Sequence, residues 1–129
     1  MYSLYFDGAS KCNPGKAGCG AVIYDGLNNE MYFESMYIGD NITNNVAEYT
    51  GLVIGLRLAM KENIKDLIVY GDSLLVINQM KKIWKVKSIN LINIYEDAMK
   101  LVNGFDNIHF VHIKRHLNKR ADELANHNL

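Results

Sequence analysis

A mixed α/β sheet flanked by helices is the fold this sequence predicts, and three observations carry that reading. Three strand-like segments follow one another from the N-terminal end with only turn-length connections, the pattern of an antiparallel meander. From Thr43 onward the apolar period lengthens from two residues to that of a helix. Helix-like and strand-like segments then alternate, which calls for a parallel half of the sheet covered by helices. The expected order is β-β-β-α-β-α-α-β-α: five strands, three antiparallel and then two parallel.

The elements follow in order. Residues 2–7 alternate as a strand, and Asn13, Pro14, Gly15 and Gly18 mark the turn after it. Residues 19–25 form the second strand, Leu27, Asn28 and Asn29 the next turn, and residues 30–38 the third strand. Residues 44–61 carry helical periodicity, with Glu48, Leu52, Gly55, Leu56 and Ala59 on one face. Gly51 and Gly55 each cost that helix about 1 kcal/mol relative to Ala, so close packing onto the sheet is expected there. Residues 66–71 are a strand and 73–81 a short helix capped by Ser73. Residues 82–90 are irregular, basic, and contain the single tryptophan, Trp84. A helix over 91–103 has the stripe Leu91, Ile94, Tyr95, Ala98 and Leu101. The last strand covers 108–113, and Asn118 is placed to cap a closing helix over 119–128.

The length of 129 residues fits one domain over 1–129, and a hydrophobic fraction of 49% excludes wholesale disorder. No apolar run approaches the roughly 20 residues of a membrane-spanning helix. The N-terminal residues enter a strand pattern directly, without a signal or transit segment, so a soluble intracellular, cytoplasmic protein is expected. Cys12 and Cys19 lack zinc-site spacing and are expected to be reduced thiols. The formal net charge of zero is unlike many nucleic-acid binders. The cations are nevertheless clustered, in one run of Lys81, Lys82, Lys85 and Lys87 and another of Lys114, Arg115, Lys119 and Arg120. Such runs are either solvated faces or phosphate contacts.

Four acids stand where an acid is awkward. Asp7 and Asp72 end apolar strands, Glu48 lies on the buried stripe of a helix, and Asp122 opens the last helix. Each has a local alternative, a turn cap for Asp7 and Asp72 or a helix-dipole partner for Asp122. Together they read differently. Buried carboxylates are costly unless paired, hydrogen-bonded or on a metal. Ligands in open α/β sheets gather at the C-terminal ends of strands. Hard oxygen donors suit Mg²⁺ or Mn²⁺, and two such ions roughly 4 Å apart can stabilise both the attacking and leaving oxygens of a phosphodiester.

The blocks YFDGASKCNPGKAGCGAVIYD, NNVAEYTGLVIGLRLA, VYGDSLLVINQM and RHLNKRADELAN resemble, in order and across nearly the whole chain, those of type 1 ribonuclease H. The compact form is similar to the archaeal and plant reverse-transcriptase-like branch. The resemblance implies a ribonuclease H-like fold and a metal-dependent endoribonuclease acting on the RNA strand of RNA/DNA hybrids. It implies a two-metal-ion mechanism with Mg²⁺, or Mn²⁺ as a substitute, leaving a 5′-phosphate and a 3′-hydroxyl. By the same resemblance Asp7, Glu48, Asp72 and Asp122 are the metal ligands. Asp7 would bridge two ions and Glu48 would serve the nucleophile side.

The resemblance also assigns the substrate side. Asn13, Asn44 and Asn45 match positions that contact the RNA strand or the hybrid minor groove, and side-chain amides can read the 2′-hydroxyl as donor or acceptor. Asn13 as a turn former and Asn44 as a helix cap are the structural alternatives. Ser10 and Cys12 lie on the same first loop, and Gly8 permits close approach of the backbone. Thr43 matches a DNA-phosphate position, Asn118 a position in the final loop, and Lys85 and Lys87 provide phosphate contacts. His116 lies near where many members carry an assisting histidine, but the Gly-His pattern is missing. The basic protrusion of longer members is absent, which implies weaker and more salt-sensitive binding, and Asn41 stands where some have Arg near the DNA-phosphate pocket. Relaxed discrimination is therefore expected, with RNA/RNA duplexes or RNA–DNA junctions as further substrates. A non-catalytic nucleic-acid-binding module is the competing class, and retention of all four acids argues against it. A P-loop phosphotransfer domain is excluded by the spacing of Gly8 to Gly20, with no Lys-Ser/Thr following. No membrane partner is expected, and the chain is expected to act as a monomer.

Overall fold

The computed structural model describes residues 1–129. Its elements are β1 (Tyr2–Ser10), β2 (Gly15–Tyr24), β3 (Glu30–Ile42), α1 (Asn44–Lys61), β4 (Asp66–Gly71), α2 (Leu74–Met80), α3 (Ile89–Val102), β5 (Asn107–His112) and α4 (Lys119–Asn126). A single 3₁₀ turn, Arg115–Leu117, leads into α4. The five strands form one sheet in the order β3-β2-β1-β4-β5. The first three are antiparallel, while β4 lies parallel to both β1 and β5. The predicted architecture and element order are therefore those observed.

The meander strands are longer than the apolar pattern suggested. β1 does not stop at Asp7, because the hairpin ladder continues through Gly8↔Cys19, Ala9↔Gly18 and Ser10↔Ala17. β2 correspondingly begins at Gly15, with register shifts near Ala17 that take up the irregularity. β3 runs on to Ile42, where Thr43 caps α1 by accepting a hydrogen bond from the Val46 amide at 3.2 Å. Ser73 caps α2 in the same way through the Val76 amide. No helix is long and apolar enough to cross a membrane.

The core lies between the sheet and α1. Leu4, Phe6, Leu52, Leu56, Leu67 and Val69 are fully buried there. Each such side chain contributes roughly 1.5–3 kcal/mol relative to exposure. The single stripe expected of α1 is too narrow a description. Tyr49, Val53 and Ile54 are buried as well, because α3 covers the far side of the helix. On the opposite face of the sheet α4 packs Ala121 and Leu124 against Val22. Arg120 ties α4 to the edge strand through Glu30 at 2.9 Å and lies over the Phe33 ring.

Two features of this packing position the site. Pairing of β1 with β4 ends at Phe6↔Gly71, so Asp7 and Asp72 are the next residues on adjacent strands. At the same level α1 comes into backbone contact with β1. A Cβ at Gly8 would lie 2.2 Å from the Ala47 carbonyl carbon, and one at Gly51 would lie 2.4 Å from the Asp7 carbonyl oxygen. A Cβ at Gly55 would meet Leu4 at 2.7 Å, so both helix glycines serve the close packing expected of them. Gly51→Ala is expected to destabilise the protein by about 1–3 kcal/mol in urea unfolding despite alanine's higher helix propensity, because the clash is with backbone. A neutral or stabilising effect would mean that α1 is free to lift from β1.

Candidate metal and phosphate site

Asp7, Glu48 and Asp72 converge where β1, α1 and β4 meet, with one carboxylate oxygen from each within 4.8 Å of the others. Asp7 is 4% exposed, whereas Glu48 and Asp72 are half-buried. The Gly8 amide donates to Asp7 Oδ1 at 3.0 Å and to Glu48 Oε1 at 3.1 Å. The absence of a side chain at Gly8 thus lets one N–H hold two acids. Asp122 lines the same cleft of about 350 Å³ but is not among the three clustered oxygens. Its Oδ1 instead accepts from Asn126 Nδ2 at 3.2 Å. The chain thus brings three of the four expected ligands into contact range of one ion, with the fourth on the rim.

The electrostatics follow from crowding. Burial first, then the Asp72 charge, raises the pKa of Asp7, while hydrogen bonds from Glu48 and Gly8 act in the opposite direction. Glu48 is raised by burial, then by Asp7 and Asp72. The donor set fits a hard divalent cation: carboxylate oxygens only, desolvated and mutually repelling, so that a doubly charged ion relieves what the fold imposes.

The remaining expected residues separate into groups. Asn118 is 1% exposed and does not cap α4 with its side chain, contrary to the expectation for it. Its Nδ2 instead donates to the Phe6 carbonyl at 2.9 Å and to Asp72 Oδ2 at 3.2 Å, and its Oδ1 is buried without a partner. Those two bonds turn the amide inward and leave Oδ1 out of reach of the α4 amides, so the side chain orients Asp72 instead of capping the helix. His116 is exposed and lines a different hollow with Tyr5 and Tyr24. The neighbouring Arg115 lines the acidic cleft. In the sequence Arg115 is one cation of a basic run, and nothing local distinguishes it from His116.

Ser10, Asn13 and Asn44 form a connected rim. Asn44 Oδ1 accepts from the Ser10 amide at 3.0 Å, Asn13 Oδ1 accepts from the Asn44 amide at 2.9 Å, and Ser10 Oγ donates to the Ile42 carbonyl at 2.7 Å. Both asparagine oxygens are thus used to fasten the first loop to the start of α1. Their NH₂ groups make no bond within the protein. Cys12 and Asn45 are exposed beside this rim. Lys85 and Lys87 are exposed on the segment after α2, outside the cleft.

Between the ordinary carboxylate range near pH 4 and the raised folded values, the folded state holds protons that the unfolded chain has lost. The stability of the cation-free fold therefore falls as pH rises through that window. Asp7→Asn, which removes one repelling charge and keeps the Gly8 contact, is expected to raise the cation-free thermal midpoint by roughly 5 °C at pH 8, about 1–2 kcal/mol, and by little at pH 4. A midpoint unchanged at pH 8 would mean that the three carboxylates do not repel one another.

A profile of the reverse transcriptase-like family matches residues 5–128. A bifunctional protein of Mycobacterium tuberculosis is 42% identical over 120 residues, 93% of this chain, and the chain spans 33% of that relative. The ribonuclease HI of Halobacterium salinarum is 38% identical over 122 residues, 95% of this chain and 61% of that one. The crystal structure of the RNase H1 from that archaeon superposes with a TM-score of 0.93 at 38% identity, covering 97% of this chain and 94% of the other. LC11-RNase H1, solved in complex with an RNA/DNA hybrid, gives a TM-score of 0.91 at 38% identity, covering 98% of this chain and 95% of the other. With its profile, its sheet order and its gathered carboxylates in agreement, this chain belongs to the type 1 ribonuclease H family, in the reverse transcriptase-like branch.

Proposed function

We propose that this chain is a divalent-metal-dependent endoribonuclease that hydrolyses the RNA strand of RNA/DNA hybrids and leaves 5′-phosphate and 3′-hydroxyl ends. The observation that carries the reading is the convergence of Asp7, Glu48 and Asp72 in one cleft, with Asp122 on its rim. These acids would hold two Mg²⁺ ions, with Mn²⁺ as a substitute. Such ions supply an activated water and neutralise the leaving oxygen of an in-line displacement. The residues 1–129 act as one domain and as a monomer in this reading, since every acid of the cleft comes from one chain. The hybrid held by LC11-RNase H1, a relative of the same fold and size, supports the substrate class.

The protein's own part is orientation and charge. Asn118 fixes Asp72 through one hydrogen bond and β1 through the other, so two strands keep their acids in register. Arg115 is the one cation among the cleft residues and is placed to meet a phosphate oxygen beside the acids. On the rim, Asn13 and Asn44 offer NH₂ donors to 2′-hydroxyl oxygens, with Asn45, Ser10, Cys12 and the Gly8 backbone alongside. Thr43 serves the DNA phosphate, and exposed Lys85 and Lys87 provide salt-dependent affinity. His116 is left without a part in the chemistry. A second reading, cleavage of RNA/RNA duplexes or RNA–DNA junctions as well, is favoured by Asn41 in place of an Arg.

The test is cleavage of one end-labelled sequence presented as RNA/DNA, RNA/RNA, DNA/DNA and single-stranded RNA, with Mg²⁺, Mn²⁺ or EDTA. Metal-dependent loss of the hybrid is expected, and additional loss of RNA/RNA would establish the relaxed reading. Asp7→Asn is expected to retain less than about 1% activity, since losing a direct ligand costs more than the 10–100-fold that follows loss of a partner behind it. Arg115→Ala is expected to lower kcat/KM by about 10–100-fold, the worth of one charged hydrogen bond, with an unchanged thermal midpoint. Full activity of Arg115→Ala would remove it from the phosphate path.

A further inference from the structure

Between α2 and α3 the chain lacks regular structure, yet it is tied down at defined points. Lys82 takes a φ of 63°, and the amides of Ile83 and Trp84 both donate to the Asn78 carbonyl, at 2.9 and 3.2 Å. The Lys85 carbonyl then accepts from Gln79 Nε2 at 3.3 Å. Gln79 is 4% exposed, and its Oε1 accepts from the Tyr49 hydroxyl at 2.5 Å. Tyr49 is fully buried in α1, and its ring meets that of Tyr95 from α3 edge-on at 6.4 Å. Burial, then Tyr95, pushes the phenol pKa up, so Tyr49 stays protonated and donates. Val86 packs on the core, and the residues on either side of it, Lys85 and Lys87, are both exposed.

We infer that Gln79 is a positioning residue for substrate. The Tyr49–Gln79 pair fixes, through the Lys85 carbonyl, where Lys85 and Lys87 present their charges relative to α1, which carries Glu48 one residue before Tyr49. The inference rests on the reading of Lys85 and Lys87 as hybrid contacts. An amide is the side chain that suits this place, because it accepts from Tyr49 and donates to the Lys85 carbonyl at once. An ionised carboxylate accepts only, and a thioether of similar size does neither well. A glutamine present merely to satisfy the Tyr49 hydroxyl would matter for stability alone.

The test measures kcat and KM on an RNA/DNA hybrid in Mg²⁺, with amide hydrogen exchange, for Gln79→Met, Gln79→Glu and Tyr49→Phe. Each is made in the natural sequence and in a Lys85→Ala/Lys87→Ala background. Gln79→Met is expected to raise KM about 5–10-fold, one hydrogen bond's net worth, with kcat within about twofold. Exchange at the amides of Ile83 and Trp84, both bonded to the Asn78 carbonyl, should quicken while the strands keep their protection. Gln79→Glu should behave like Gln79→Met, and neither should raise KM further in the lysine-free background. An unchanged KM with a lowered thermal midpoint overturns the inference, as does an equal KM rise without the lysines. If Lys85→Ala/Lys87→Ala alone leaves KM unchanged, the lysine reading itself fails and the inference falls with it. Should Gln79→Met not fold, Tyr49→Phe is expected to raise KM about 2–3-fold with the same dependence on the lysines, and no rise overturns the inference.

Discussion

The close approach of α1 to β1 is the constraint on which the rest of the molecule depends. Backbone meets backbone at Gly8 and Gly51, at separations no side chain could share. That contact sets Glu48 against Asp7, and the end of β1–β4 pairing sets Asp72 beside both. The fold therefore spends stability on holding like charges together in a partly desolvated place. Natural folds carry such local conflicts at functional sites and compensate elsewhere. Here the compensation is a core shared by α1, α3 and the sheet, in which nearly every face of α1 is buried.

The two faces of the sheet divide the labour. α1 and α3 build the core on one side, and α1 presents Glu48 near its start, one turn after Asn44, which fastens the first loop. α4 covers the other side and brings Asp122 to the rim of the cleft. Asn118 joins the two systems, since its amide spans the β1 backbone and the β4 acid from the turn that opens α4. Removal of that amide would leave Asp72 to find its own orientation, which outer partners of metal ligands exist to prevent.

Much of this was legible in the sequence because its signals are local or strictly periodic. The bounds of α1 followed from its period, and the antiparallel and parallel halves of the sheet followed from short against long connections. The acids were legible because a carboxylate on an apolar strand or stripe conflicts with its surroundings. What escaped the sequence was set at long range. Asn118 reads as a cap by its neighbours, yet its partner Phe6 lies 112 residues away. β1 outlasted Asp7 because a hairpin partner continued to pair with it, a fact of β2 rather than of β1. Arg115 and His116 share one 3₁₀ turn, in which a step of one residue rotates the side chain by about a third of a circle. Which of the two faces the cleft is decided by the path of the whole turn.

The most direct test of the central claim is anomalous diffraction at the manganese edge from crystals of the full chain grown with Mn²⁺, beside crystals of Asp7→Asn. The account predicts a manganese peak among the carboxylates of Asp7, Glu48 and Asp72, and its loss in the variant. A peak elsewhere, or one that survives unchanged without the Asp7 carboxylate, would contradict it.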